Sequence, residues 1–418
     1  MEYNKQLEIV RELAKQVAEI AADPVQKRHE EDWKALNGLR PRRPMFMLDQ
    51  LPYAELNANG ELTCVCEDGF LKMYEGQLRE TIYRFKYMPD DRVVSPWVTV
   101  PKAISVSSIG MSSQEQHLAT EGYDAIVSHT YKSLFESEED IEKLQFQTVS
   151  EDKAASIANL ERAREIFGGI LDVKYSGVDT YGHIWDVVSM LNGVEQSIID
   201  LYDRPEFIHK LLQKMFAIYH ATMDQYEELG LLYPGAPIIH CTGAFADNLP
   251  GFAGESEEEL ETARHTTKSV WTYGAAQLFS MVSPEMHDEF EITYQKDWYA
   301  RFGLGYYGCC EPLDKKVGVI RSLPNVRKIS MSPWVEVAGG AEALAGDYVY
   351  SCKPNPAFLS SDVAWNEEEI RRLLGEVISI NGKYGNPVEL IMKDISTVGH
   401  KPSRLWEYAR ICRELCGE

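Results

Sequence analysis

Long apolar runs are missing from this chain of 418 residues. No stretch approaches the roughly twenty consecutive apolar residues that a membrane-crossing helix needs, and Met1–Ala22 is amphipathic and charged, unlike an export signal. A cytoplasmic protein with no membrane partner is therefore the expectation. Positive charge is also in short supply, with 42 Lys and Arg against 65 Asp and Glu and a formal net charge of −23. That balance repels phosphate backbones, which argues against nucleic acid as a partner. Glycine signatures of the Rossmann or P-loop kind are absent as well. Without an export signal the eight cysteines, Cys64, Cys66, Cys241, Cys309, Cys310, Cys352, Cys412 and Cys416, are expected to be free thiols. Cys64 and Cys66 have no second pair at zinc-ribbon spacing, and Cys412 and Cys416, one helical turn apart, suit simple packing.

What is present is βα repetition. Leu7, Val10, Leu13, Val17 and Ile20 recur at helical spacing, so a helix opens the chain. Met45–Leu48 follows the basic Arg40–Pro44 segment and reads as a strand that opens a barrel. Later candidate strands are Leu171–Tyr175, Pro237–Cys241, Ala276–Val282, Leu304–Tyr307, Val326–Met331, Tyr348–Tyr350 and Leu390–Met392. Helical patterns separate them at 151–167, 185–232, 256–273, 284–301, 315–322, 341–345 and 367–381. The reading is α/β, a single barrel domain over 1–418 with an N-terminal helical extension over 1–43. Strands and loops over 50–148 would decorate the barrel as an early insertion.

Thiols cluster where two of these strands end. Tyr306-Tyr307-Gly308-Cys309-Cys310-Glu311-Pro312 closes one, and Ser351-Cys352-Lys353-Pro354 closes another. Strand alternation puts Cys309 and Glu311 on one side and Cys310 on the other, with Cys352 within reach from a neighbouring strand. Thiolates and a carboxylate around an open position make a candidate zinc site, with Cys309, Cys310, Glu311 and Cys352 as its ligands. The alternative is that each cysteine is a small buried apolar residue.

Four phrases carry a family resemblance. They are Leu191-Asn-Gly-Val-Glu195 with Asp203-Arg-Pro-Glu-Phe-Ile-His209, then Ser283-Pro-Glu-Met-His-Asp-Glu-Phe290, then the Cys309 strand end, then Lys353-Pro-Asn-Pro356. Together the chain resembles the uroporphyrinogen decarboxylase-like superfamily, and within it the zinc-dependent methyltransferases that exchange methyl groups with a corrinoid protein, as in O-demethylation. The resemblance implies a (β/α)8 TIM barrel with its site at the C-terminal mouth. It also implies zinc, a cobalamin carried by a corrinoid partner protein, and a homodimer. Those methyltransferases use a His-x-Cys-Gly strand end. Here Tyr307, Gly308, Cys309 and Cys310 stand at those positions, so the cysteine matches and the histidine does not. Glu311 is the replacement ligand to consider, and Cys352 the later thiol. The Arg-rich segment ending in a Gly-Arg-Tyr-like phrase that marks the decarboxylases is absent.

The activity so implied is transfer of a methyl group from a small methylated substrate to the corrinoid protein. An aromatic methyl ether is favoured because Tyr181–Trp185, Tyr306-Tyr307 and Pro333-Trp334 fall at strand-to-loop transitions. A methylcobamide:thiol methyltransferase and a lyase acting on a small carboxylate are the alternatives. The candidate catalytic residues are Tyr307, His240 and Asp394, the last of which follows Lys393 at the end of the final strand. The candidate substrate contacts are His183, Trp185, Trp334 and Lys353. A satisfied core imidazole is the bland reading of His240, an ion pair that of Lys393-Asp394, and an exposed loop cation that of Lys353.

Overall fold

The computed structural model of the protein describes residues 1–118, 128–252, 254, 259–260, 263 and 265–418. Six parallel strands form its central sheet: β1 (Met45–Leu48), β2 (Trp271–Gly274), β3 (Leu304–Tyr307), β4 (Val326–Met331), β5 (Val349–Cys352) and β6 (Val388–Met392). Their spatial order is β1-β6-β5-β4-β3-β2, so each strand from β2 onward lies beside its successor and the last pairs with the first. That is the order of a barrel wall. Every residue of β2, β3, β5 and β6 is buried, as expected of strands covered on both faces.

Alternation divides these strands between two cores. Met45, Met47, Tyr273, Tyr306, Val349 and Ile391 pack together on one face with Trp33 and Cys241. Phe46, Leu48, Tyr307, Tyr350, Cys352, Leu390 and Met392 pack on the other against helical residues such as Leu374, Leu405 and Tyr408. The inner face also holds a fully buried ion pair, Lys328 Nζ to Glu389 Oε2 at 2.7 Å, with the Thr242 hydroxyl 2.7 Å from the same carboxylate oxygen.

The hydrogen bonds give six strands of the eight-stranded ring expected from the sequence. Beyond β2 the wall continues as a single parallel bridge, Tyr181 to Tyr273. The strand expected at Pro237–Cys241 is a short antiparallel hairpin instead, Ile238–Ile239 with Thr242–Gly243. Pro234 and Pro237 remove two ladder donors there, and Gly235 at φ 83° bends the backbone. Two further expectations are corrected. The strand placed at Ala276–Val282 lies earlier, as β2, and Gln277–Met281 is a 3-10 turn. The Leu171–Tyr175 strand forms as Asp172–Ser176, but it pairs with Trp97–Pro101 outside the central sheet.

The amino-terminal region is helical, α1 (Tyr3–Ala21) and α2 (Pro24–Asn37), with Asp23 capping α2 through Val25 N. The insertion over 50–148 contains more helix than its mixed pattern suggested, chiefly α3 (Gly69–Tyr87), which Asp68 caps. Val10, Ala14 and Val17 of α1 bury against Leu71, Tyr74 and Leu78 of α3 in a core separate from those of the central sheet. The helix start expected at Glu257–Glu261 falls largely outside the described residues. No helix among the described residues is long and apolar enough to cross a membrane.

Candidate active site

All six strands run the same way, so their carboxyl ends share one rim. At the end of β3 the chain turns at Gly308, φ 92°, where an added Cβ would collide with Leu313. Glu311 then fixes the turn. It is fully buried, and its two oxygens accept Cys309 N at 2.9 Å and Ala276 N at 3.2 Å. Ser330 Oγ donates to the Cys309 carbonyl at 2.7 Å, tying the turn to β4. Cys309 Sγ is thereby held still.

Three groups converge on that sulfur. Lys393 Nζ, from the end of β6, lies 3.0 Å away, His240 Nε2 lies 3.7 Å away, and Cys310 Sγ lies 3.5 Å away. Lys393 Nζ is also 3.4 Å from His240 Nε2 and 3.3 Å from Asp394 Oδ2. Cys310, exposed, donates to Asp394 Oδ2 at 3.5 Å. The His240 ring stacks on Tyr273, centroids 4.0 Å apart and planes within 5°, and its backbone N–H donates to Tyr181 OH at 3.1 Å. His240 and Asp394 both adopt left-handed backbone, φ 54° and 56°, as does Gln50, φ 50°, whose side chain accepts Asp394 N. Such conformations persist where neighbours over-determine them, and they gather at functional sites.

The electrostatics follow from the packing. The Cys310 S–H directed at Cys309 lowers the Cys309 thiol to about 2 against its burial, and His240 and Lys393 lower it further. Cys310 is raised correspondingly, so of the two sulfurs it keeps the proton. Burial disfavours a charged His240, yet the Cys241 and Cys309 sulfurs prevail and raise it to about 9. For Lys393 burial again opposes charge, and the Cys309 and Cys241 sulfurs, with Asp394, outweigh it. The site at neutral pH is therefore a thiolate between an imidazolium and an ammonium, open to solvent on the side of Cys310 and Asp394.

No family model matches the chain, and no curated protein does. A solved methyltransferase from Methanosarcina mazei is similar at 12% identity, with 91% of this chain and 98% of that chain covered and a TM-score of 0.48. A likeness this distant does not by itself fix an activity.

Of the residues singled out from the sequence, Cys309, Cys310, His240 and Asp394 meet at this cluster. His183 lies just behind it, its ring 6.0 Å from Tyr273, its Nδ1 buried without a partner among the described residues and its pKa pulled down by burial. Lys353 is buried on the inner face with Nζ 2.7 Å from Ser351 Oγ and 5.1 Å from the Tyr306 ring, so it is not an exposed loop cation. Trp334 stands exposed on the loop after β4.

The others fall elsewhere. Tyr307 belongs to the outer face, its hydroxyl 2.6 Å from His287 Nε2. Trp185 is fully buried, with Nε1 donating to the Phe290 carbonyl at 3.1 Å, and cannot reach a substrate. Cys352 packs in the outer core, because Ser351 takes the inward position beside Tyr306 and alternation turns Cys352 away. Glu311 has both oxygens committed to backbone N–H groups. Lys393, which the sequence offered as half of an ion pair, proves central. Tyr273 went unnoticed because the residues before it read as helix.

Two donors here suit zinc. Bonds of about 2.3 Å to sulfur and 2.0 Å to nitrogen would put two tetrahedral ligands about 3.5 Å apart, close to the 3.7 Å between Cys309 Sγ and His240 Nε2. Among the described residues, however, no third His, Cys or carboxylate atom lies within 4.8 Å of both; only His29, Asp91 and Glu418 converge so closely. The Lys393 ammonium fills the space between sulfur and imidazole. The four-ligand set read from the sequence is not assembled, and the Lys393 ammonium stands beside two of the donors that a metal would need.

Proposed function

We propose that the protein transfers a methyl group from a small methylated substrate, best an aromatic methyl ether, to an acceptor carried by a separate corrinoid protein. The observation that supports this most is the cationic pair Lys393 and His240, held by the Cys309 thiolate at an open strand-end mouth. An ether methyl is displaced only when the departing oxygen is stabilised. In the step proposed, an electron pair of the reduced acceptor would form the new bond to the methyl carbon as the methyl–oxygen bond breaks, and the oxygen keeps the bonding pair and takes a proton from His240. An imidazolium at about 9 is closely matched to a phenolate, and Lys393 holds positive charge beside it throughout.

The mouth also suits a large partner. Met281, Trp334 and Val363, which follow β2, β4 and β5, are 95%, 72% and 97% exposed. Apolar groups presented in that way are what a docking protein covers. Trp334→Ala is expected to raise the KM for the corrinoid protein about tenfold with kcat and melting temperature little changed; an unaltered KM would remove Trp334 from the interface.

The test of the activity is the appearance of a phenol from an aryl methyl ether such as 2-methoxyphenol, seen only when reduced corrinoid protein is supplied. Turnover without it, or none across a panel of methyl ethers, would end the proposal. Metal analysis of the same preparation is expected to find well under one zinc per chain. About one zinc per chain, lost in Cys309→Ser, would replace the lysine by a metal in this account.

A further inference from the structure

Arg84 of α3 and Arg92 both turn inward at the end of β1. Arg84 NH2 donates to the Leu48 carbonyl and, at 2.9 Å, to Asp90 Oδ2. Arg92 NH2 donates to Asp49 Oδ1 at 2.9 Å and to the same Leu48 carbonyl at 3.3 Å. Two guanidiniums thus hang from one carbonyl, and their side chains are only 12% and 26% exposed. The Nε of each is buried and finds no acceptor among the described residues. A buried N–H without an acceptor costs free energy that a ligand oxygen would recover. The carboxylates nearby are already engaged: Asp90 also accepts Leu48 N at 2.9 Å and Arg92 N at 3.2 Å.

Cavities open on both sides of the pair. One, about 430 Å³, carries Asp49 and Glu80 in its wall and so repels an anion. The other, about 310 Å³, has a single carboxylate in its wall, Asp90, already held by Arg84, and is otherwise lined by both arginines and by Phe85, Val93 and Trp97, which combine fork-shaped donors with an apolar and aromatic wall. Asp49 and Asp90 already balance the two arginines, so the site suits a monoanion bound through hydrogen bonds over a phosphate dianion. Guanidiniums match carboxylates in geometry. We propose that this second cavity binds a small organic acid, its carboxylate on Arg84 and Arg92 and its apolar body against Phe85 and Trp97. The inference does not depend on the activity proposed above.

Isothermal titration of the full chain with benzoate tests it, with benzyl alcohol and inorganic phosphate as comparison ligands. Benzoate is expected to bind at least about tenfold more tightly than either, and Arg92→Gln to weaken it about tenfold or more. Val93→Trp, which fills the cavity and leaves both arginines in place, is expected to abolish binding without loss of folding. It also serves if Arg92→Gln does not fold. Cys309→Ser should bind benzoate as the parent chain does, which separates this site from the catalytic cluster. No heat with benzoate, equal affinity for phosphate, or undiminished binding in Val93→Trp would overturn the proposal.

Discussion

Cys309→Ser is expected to lower methyl transfer by on the order of 10²- to 10³-fold while the protein stays folded. The serine hydroxyl is neutral, so Lys393 loses the anion that does most to stabilise its charge, and His240 loses one of the two sulfurs that stabilise its own. The companion variant Lys393→Met leaves the sulfur buried with one cation fewer. Its effect is legible in pH. The Cys309 thiol at about 2 is a thiolate across the neutral range, so alkylation of that sulfur by iodoacetamide should proceed at nearly constant rate from about pH 5 to pH 9. Removing the ammonium raises the thiol's pKa while Cys310 and His240 still lower it, so the rate in Lys393→Met should begin to fall at a higher pH than in the parent chain, on the acid side of the profile. Fragment mass spectra distinguish label on Cys309 from label on Cys310. Full activity in Cys309→Ser would show that the cluster is structural, and an acid limb at the same pH in both proteins would remove Lys393 from the support of the thiolate.

Lys328→Met should destabilise the fold by about 3–5 kcal/mol, measured by urea denaturation. The Lys328 ammonium is fully buried with three acceptors, Glu389 Oε2 at 2.7 Å and, at 2.9 Å each, Thr242 Oγ1 and the Gly243 carbonyl. Removing it strands the Glu389 carboxylate, whose other oxygen has no partner among the described residues. The double variant Lys328→Met/Glu389→Leu should recover much of the loss, because the cost comes from the uncompensated charge more than from the pair's net attraction. A loss under about 1 kcal/mol in the single variant would mean that water reaches the carboxylate. The pair matters to the site because it anchors the hairpin Ile238–Gly243, whose turn holds His240.

Residue pattern served well wherever packing is dictated by strand burial. Met45–Leu48, Leu304–Tyr307 and Val326–Met331 are strands with the bounds that their apolar runs imply. Pattern failed around Trp271–Gly274, where a helix was expected, since a short buried run has no periodicity to separate strand from helix. It failed again for α3, whose apolar stripe is paired with α1, a partner about sixty residues away that no local window contains.

The candidate site divides along the same line. The sequence by itself determined that thiols stand at strand ends and that Lys393-Asp394 closes the last strand. Tertiary structure alone decided which of those groups meet. Alternation sent Cys352 and Tyr307 to the outer face, two backbone N–H groups claimed Glu311, and the hairpin at Ile238–Gly243 carried His240 across to a sulfur sixty-nine residues away. Local chemistry sets what each side chain can do, whereas the distances between them are set by sheet order and side-chain parity, which involve residues that no single stretch of sequence brings together.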